Sequence, residues 1–140
     1  MSSLLNESHW TGKGLAGEWT QLTGGVIDVI EPATGQTLAR VGRANAADVR
    51  TSAAAARQAQ KTWAVMPYGE RAKIFRKAAE LLEAHRAEVA TWIVRETGGI
   101  QPKAMFEIDS ALHHCHEAAA MLAQPKGLLL PSADGVTSIA

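Results

Sequence analysis

The chain has 140 residues, of which 46% are apolar, so it forms one domain or part of one and is not wholly disordered. Fourteen Lys and Arg balance 14 Asp and Glu, and this neutrality argues against nucleic acid as a partner. No apolar run reaches the length of a membrane span, the longest aliphatic stretch being Leu128-Leu129-Leu130, so no membrane role is expected. Met1 to Gly14 lacks the cationic start and apolar stretch of a secretory signal, which makes the cytoplasm the default location. The single cysteine, Cys115, agrees with a reducing compartment.

Residues 1–24 are polar and glycine-rich and read as an irregular N-terminal arm, docked through Trp10 and Trp19 onto something larger than this chain. Val26 to Ile30 is rich in β-branched residues and predicts a strand. Glu31-Pro32-Ala33-Thr34-Gly35 carries turn chemistry, and Thr37 to Val41 predicts the returning strand of a hairpin over 26–41. Asn45 with Asp48 reads as an N-cap and a first-turn acid. A helix follows from Ala46 to Trp63, with Val49, Ala53, Ala56, Ala59 and Trp63 along one side. Pro67 opens a second helix to about His85, with an apolar stripe of Ile74, Phe75, Ala78, Leu81 and Leu82. A third, near Ala87 to Thr97, stops at Gly98-Gly99, a left-handed C-cap signal. A fourth starts at Pro102 and ends near Gln124, so helices occupy about 46–124. The 26 alanines favour this helical bulk. Leu128 to Pro131 and Val136 to Ala140 read as strands, and the last has no evident partner. The order suggests a sequence that continues beyond Ala140.

Three groups of residues resemble reactive motifs. Gly12-Lys13-Gly14-Leu15-Ala16-Gly17 is a literal G-x-G-x-x-G, but no buried strand precedes it and no helix follows, so a flexible arm is expected there. His113, His116 and Glu117 share a helix face and offer three metal ligands with no fourth. An exposed imidazole stripe accounts for them more simply. Cys115 has only Ala111, Leu112, Ala118 and Ala119 one turn away, which supply no base, so it reads as a packing residue. The residues themselves contain no complete active site, and no catalytic, cofactor-binding or metal-binding residue is expected in this chain.

The ordered series of small motifs says more. Gly17-Glu18-Trp19 is followed by Val29-Ile30-Glu31-Pro32-Ala33-Thr34-Gly35, then Ala47-Asp48-Val49, Trp63, Glu70-Arg71, Glu96-Thr97-Gly98-Gly99 and Glu107-Ile108. From about residue 15 to 140 this series resembles the N-terminal segment of the NAD(P)-dependent aldehyde dehydrogenase superfamily, nearest its benzaldehyde and vanillin branch. The resemblance implies an α/β fold, of which this part is mostly α-helical with a β-hairpin and a terminal strand. It makes 25–140 the N-terminal part of the domain, with 136–140 entering a bridging element. It implies oxidation of an aromatic, benzaldehyde-like aldehyde to a carboxylic acid with NAD or NADP, in a homo-oligomer (dimer or tetramer). The family's catalytic cysteine, its glutamate and its cofactor loop lie beyond this stretch, so the chain alone is expected to be inactive and to bind no dinucleotide. Phe106 and Ser110 are expected to face the tunnel through which aldehyde enters. The competing reading is a stand-alone helical module that pairs with a partner or a full-length subunit.

Overall fold

The computed structural model describes residues 6–121, 123–125, 127, 129–130, 135 and 138–139. From residue 6 onward the arm expected to be irregular carries regular elements. It holds a one-turn helix α1 (Glu7–Trp10) and a hairpin of β1 (Lys13–Leu15) and β2 (Trp19–Gln21). Asn6 caps α1 by accepting from the Ser8 N–H at 3.0 Å. The glycine motif therefore serves a turn, and the expectation of a flexible arm is corrected: Gly12 and Gly17 adopt φ of +69° and +90°, backbone that side-chain-bearing residues avoid.

The second hairpin matches the sequence reading. Antiparallel β3 (Val26–Ile30) and β4 (Thr37–Gly42) pair in register from Val26↔Gly42 to Ile30↔Thr37, with an irregularity at Val29/Ile30. The turn is closed by the Gly35 N–H donating to the Glu31 carbonyl at 2.8 Å and the Glu31 N–H donating to that of Gln36 at 2.9 Å. Gly12 donates its N–H to the Arg40 carbonyl at 3.0 Å and joins the two hairpins. At Gly42 the strands approach so closely that a Cβ would stand 2.8 Å from the Lys13 carbonyl carbon.

Four helices follow: α2 (Ala46–Val65), α3 (Tyr68–Ala84), α4 (Arg86–Thr97) and α5 (Gln101–Met121). Asn45 and Asp48 form a complete capping box at α2, the pattern that satisfies orphan N–H groups reciprocally. Gly98 ends α4 in the left-handed region at φ 70°. A last pair, β5 (Leu129–Leu130) and β6 (Ser138–Ile139), is antiparallel. The final strand thus has a partner that the sequence reading did not give it.

Helix α5 packs across α3 and α4. Ala90, Ala104 and Ile108 are buried together, flanked by Leu82, Val89, Ile93, Val94, Met105 and Leu112. Alanines at Ala72, Ala79, Ala90, Ala104 and Ala119 let the helix axes approach, and Ile108 is the one large side chain buried outright among the described residues. The stripes expected from periodicity are displaced. On α3 the inward positions are Ala72, Phe75, Ala79 and Leu82, while Ile74 and Leu81 are exposed. On α2 the half-buried residues are Asp48, Ser52 and Trp63, followed by Met66 at its C-cap, whereas Val49, Ala53, Ala56 and Ala59 are exposed.

The chain exposes 10162 Å², whereas a compact monomer of its mass exposes about 7,000 Å². The excess is apolar in part: Val49, Val65, Ile74, Ile100 and Phe106 all stand open. No helix among the described residues is long and apolar enough to cross a membrane.

Candidate functional site

An apolar concavity lies where the two hairpins meet α4. Trp10, Trp19, Val29, Leu38, Ala39, Val41, Trp92 and Glu96 line a groove of about 250 Å³. Its back wall is an edge-to-face pair of Trp10 and Trp92, with ring centroids 5.6 Å apart and planes at 79°, the geometry that aromatic quadrupoles favour. Alternation brings Val29 from β3 and Ala39 and Val41 from β4 to one face. The indole Nε1 of Trp10 is buried without an acceptor. Glu96 is the one ionisable group of the lining, so the groove has neither nucleophile nor proton relay and can only bind.

Ion pairs fix its frame. Arg95 on α4 donates from Nε and Nη2 to the two carboxylate oxygens of Glu31, at 2.8 and 3.3 Å. The Arg95 hydrogen bond holds the Glu31 carboxyl below the usual range; desolvation opposes this, and Thr34 adds to it. Behind the second hairpin, Asp48 accepts from the backbone N–H groups of Asn45 and Thr23 at 2.9 and 3.0 Å and from the Thr23 hydroxyl at 2.9 Å. The Asn45 bond dominates, and together these lower the Asp48 pKa. Arg86 bridges α4 to α5 through Asp109 at 2.7 Å while also donating to Glu83 at 2.7 Å. Those partners, Glu83 first, raise its pKa above the ordinary arginine value.

The structure places Phe106 and Ser110 one turn apart on α5, and neither lines the groove. Phe106 is 72% exposed, Ser110 is half-buried, and Lys103 pairs with Glu107 beside them. His113, His116 and Glu117 are all exposed. Among the described residues no group of three His, Cys, Asp or Glu could hold a metal ion. Cys115 is a free, half-buried thiol. The sequence reading sent Trp10 and Trp19 onto a larger body, whereas the structure sets Trp10 against Trp92 of the same chain. The signal was the tryptophan spacing itself, which does not reveal which rings meet.

Residues 19–140 match the aldehyde dehydrogenase family. A vanillin dehydrogenase from Amycolatopsis is 45% identical over 130 residues, which are 93% of this chain and 27% of that protein. A benzaldehyde dehydrogenase [NAD(+)] from Pseudomonas putida is 44% identical over 133 residues, 95% of this chain and 27% of the relative. The crystal structure of a NAD-dependent benzaldehyde dehydrogenase from Corynebacterium glutamicum superposes with a TM-score of 0.83 at 30% identity, over 96% of this chain and 29% of that one. The chain thus spans between a quarter and a third of the length of these relatives.

Proposed function

Because the chain belongs to the aldehyde dehydrogenase family, we propose that it is the N-terminal segment of an oxidoreductase that converts an aromatic aldehyde to its carboxylic acid with NAD or NADP. The observation that carries this reading is the 45% and 44% identity, over nearly all of the chain, to a vanillin and a benzaldehyde dehydrogenase. The large excess of exposed surface supports it too, since a segment that lies against the rest of a subunit leaves that face uncovered when alone. In this reading 25–140 belongs to one larger domain, the enzyme is a cytoplasmic homo-oligomer, and 136–140, of which 136, 137 and 140 lie outside the described residues, enters its bridging element.

The residues present do not fit a dinucleotide. A pyrophosphate site needs a glycine turn between a strand and a helix N-terminus, whereas Gly12 to Gly17 lead into the short strand β2. The Gly14 position is closed by the Leu22 side chain. The chain's own contribution is to the substrate path: Phe106 supplies an aromatic wall and Ser110 a small residue that leaves space for a ring. Neither group moves a proton or forms a bond.

The test is a chimera in which this chain replaces the corresponding segment of the Amycolatopsis vanillin dehydrogenase. NADH formation from benzaldehyde or vanillin by the folded chimera, with none by the 140-residue chain, is the expected result. Saturable turnover by the chain alone overturns the assignment of catalysis to missing residues. A folded chimera that oxidises only short aliphatic aldehydes overturns the aromatic reading.

A further inference from the structure

Among the described residues, two side-chain nitrogens are shut away from water without a hydrogen-bond partner: Nε1 of Trp10 and Nε of Arg71. The first belongs to a neutral indole and the second to a charge, and a charge withdrawn from water costs far more unless an anion answers it. No hydrogen bond or ion pair joins the Arg71 side chain to any described residue. Other cations without a carboxylate, such as Arg43, Arg50 and Arg76, are exposed and have water for a partner. Arg71 is half-buried.

Arg71 lies near the N-terminal end of α3, where the helix dipole disfavours a cation. Its neighbour Glu70 is taken by Lys73 at 2.7 Å. At about 100° per residue, Arg71 falls on the margin between Phe75, which turns inward, and Ile74, which is exposed. Large apolar side chains stand open around that margin. Ile74 is 48% exposed, Tyr68, one turn before Arg71, is 60% exposed, and Val65, three residues before Tyr68, is 81% exposed. An arginine set among open aromatic and aliphatic side chains has the composition of the centre of a protein interface.

We propose that Arg71 anchors this segment to the rest of its own subunit by pairing with a carboxylate from outside these 140 residues. The inference rests on the reading that the chain is one part of a longer enzyme. A carboxylate fits because the guanidinium fork is unspent and matches two carboxylate oxygens. A protein surface fits better than a small anion, because it would cover Val65, Tyr68 and Ile74 at the same time. The pairing accounts for a cation that is a liability in the segment alone: its burial is completed, and its charge answered, only on docking.

Three substitutions are compared in the 140-residue chain and in the vanillin dehydrogenase chimera, by thermal melts and size-exclusion chromatography. In the chain alone R71M should melt no lower than the parent, because it removes an unanswered charge. In the chimera the same change should lower the melt by several degrees, because it strands the partner carboxylate. R71Q, which keeps donors without the charge, should lose about as much as R71M, and R71K, which keeps the charge without the fork, should recover part of the loss. Where R71M stops the chimera from folding, R71K must restore a folded chimera, and its failure to do so overturns the proposal. A lower melt for R71M in the chain alone overturns it and puts the partner within these residues, Asp134 being the one acid outside the described ones. An unchanged melt for R71M in the chimera overturns it, and a parent-like melt for R71Q overturns it in favour of a neutral acceptor. A folded protomer that loses only its oligomeric state in R71M overturns it in favour of a second copy. The melts are read without substrate, so a parent chimera that folds yet oxidises neither vanillin nor benzaldehyde sinks the reading of function and not this pairing.

Discussion

Arg95 reaches across 64 residues of sequence to grip both carboxylate oxygens of Glu31, and this pair ties the turn of the second hairpin to the last turn of α4. Three residues beyond Arg95, Gly98 faces Pro32, the neighbour of Glu31: a Cβ on the glycine would stand 3.2 Å from the proline Cβ. An isolated two-stranded hairpin is marginal in water, so these contacts and the groove tryptophans give β3 and β4 a surface to lie on.

Glu31 supplies a pH dependence whose sign is set by its lowered pKa. A carboxyl that is more acidic folded than unfolded contributes stability above its unfolded pKa, and the contribution disappears as pH falls through the folded value. E31Q should therefore melt below the parent at neutral pH, and the two should converge on the acid side of the glutamate range. Melting temperatures between about pH 6 and pH 3 check this. Asp48 is lowered as well, so E31Q should keep part of the acid dependence, and a gap that widens on acidification would contradict the assignment.

Asn45 accepts from the N–H groups of Ala47 and Asp48 at 2.8 and 3.0 Å and donates from Nδ2 to the Thr23 hydroxyl at 2.7 Å. N45A should cost about 1 kcal/mol, seen as a drop of several degrees in thermal melts. N45S, which keeps an acceptor, should recover most of the loss.

Ile108 is 1% exposed at the meeting of α4 and α5. I108A should cost about 2–5 kcal/mol, a large share of a small domain's stability. V65A on the open face of α2 should change it by less than about 0.5 kcal/mol. Equal losses in urea titrations would mean that the core lies elsewhere.

Gly35 and Gly98 share nearly the same backbone, at φ +71° and +70°, but only Gly98 is crowded by Pro32. G35A should lose about 1 kcal/mol or a little more from left-handed strain, and G98A should lose more. P32A should reduce the difference, which a double-substitution comparison measures directly.

F106A should leave the stability of the chain within about 0.5 kcal/mol because the ring is exposed. In the vanillin dehydrogenase chimera it should raise KM for benzaldehyde several-fold and leave that for propanal unchanged. A parallel rise for both aldehydes would remove Phe106 from the substrate path.

Much of this protein was decided locally. Asn45 with Asp48, Gly98 after α4, and Glu31 to Gly35 between β-branched runs state their elements in the sequence, because caps and turns depend on neighbours a few residues apart. The ordered motifs likewise marked an aldehyde dehydrogenase segment. Burial was not local. Ile74 and Leu81 fit the apolar period of α3 as well as Phe75 and Leu82 do, and only the packing of α5 selected Ala72, Phe75, Ala79 and Leu82 for the inside. Tertiary contact also turned a glycine-rich arm into a hairpin, since Gly42 lets β4 approach Lys13 and Gly12 bonds to Arg40. The groove needed Trp10 and Trp92 to meet edge to face across 82 positions of chain. Periodicity lists the faces a helix could bury; the neighbour that arrives from far along the chain chooses among them.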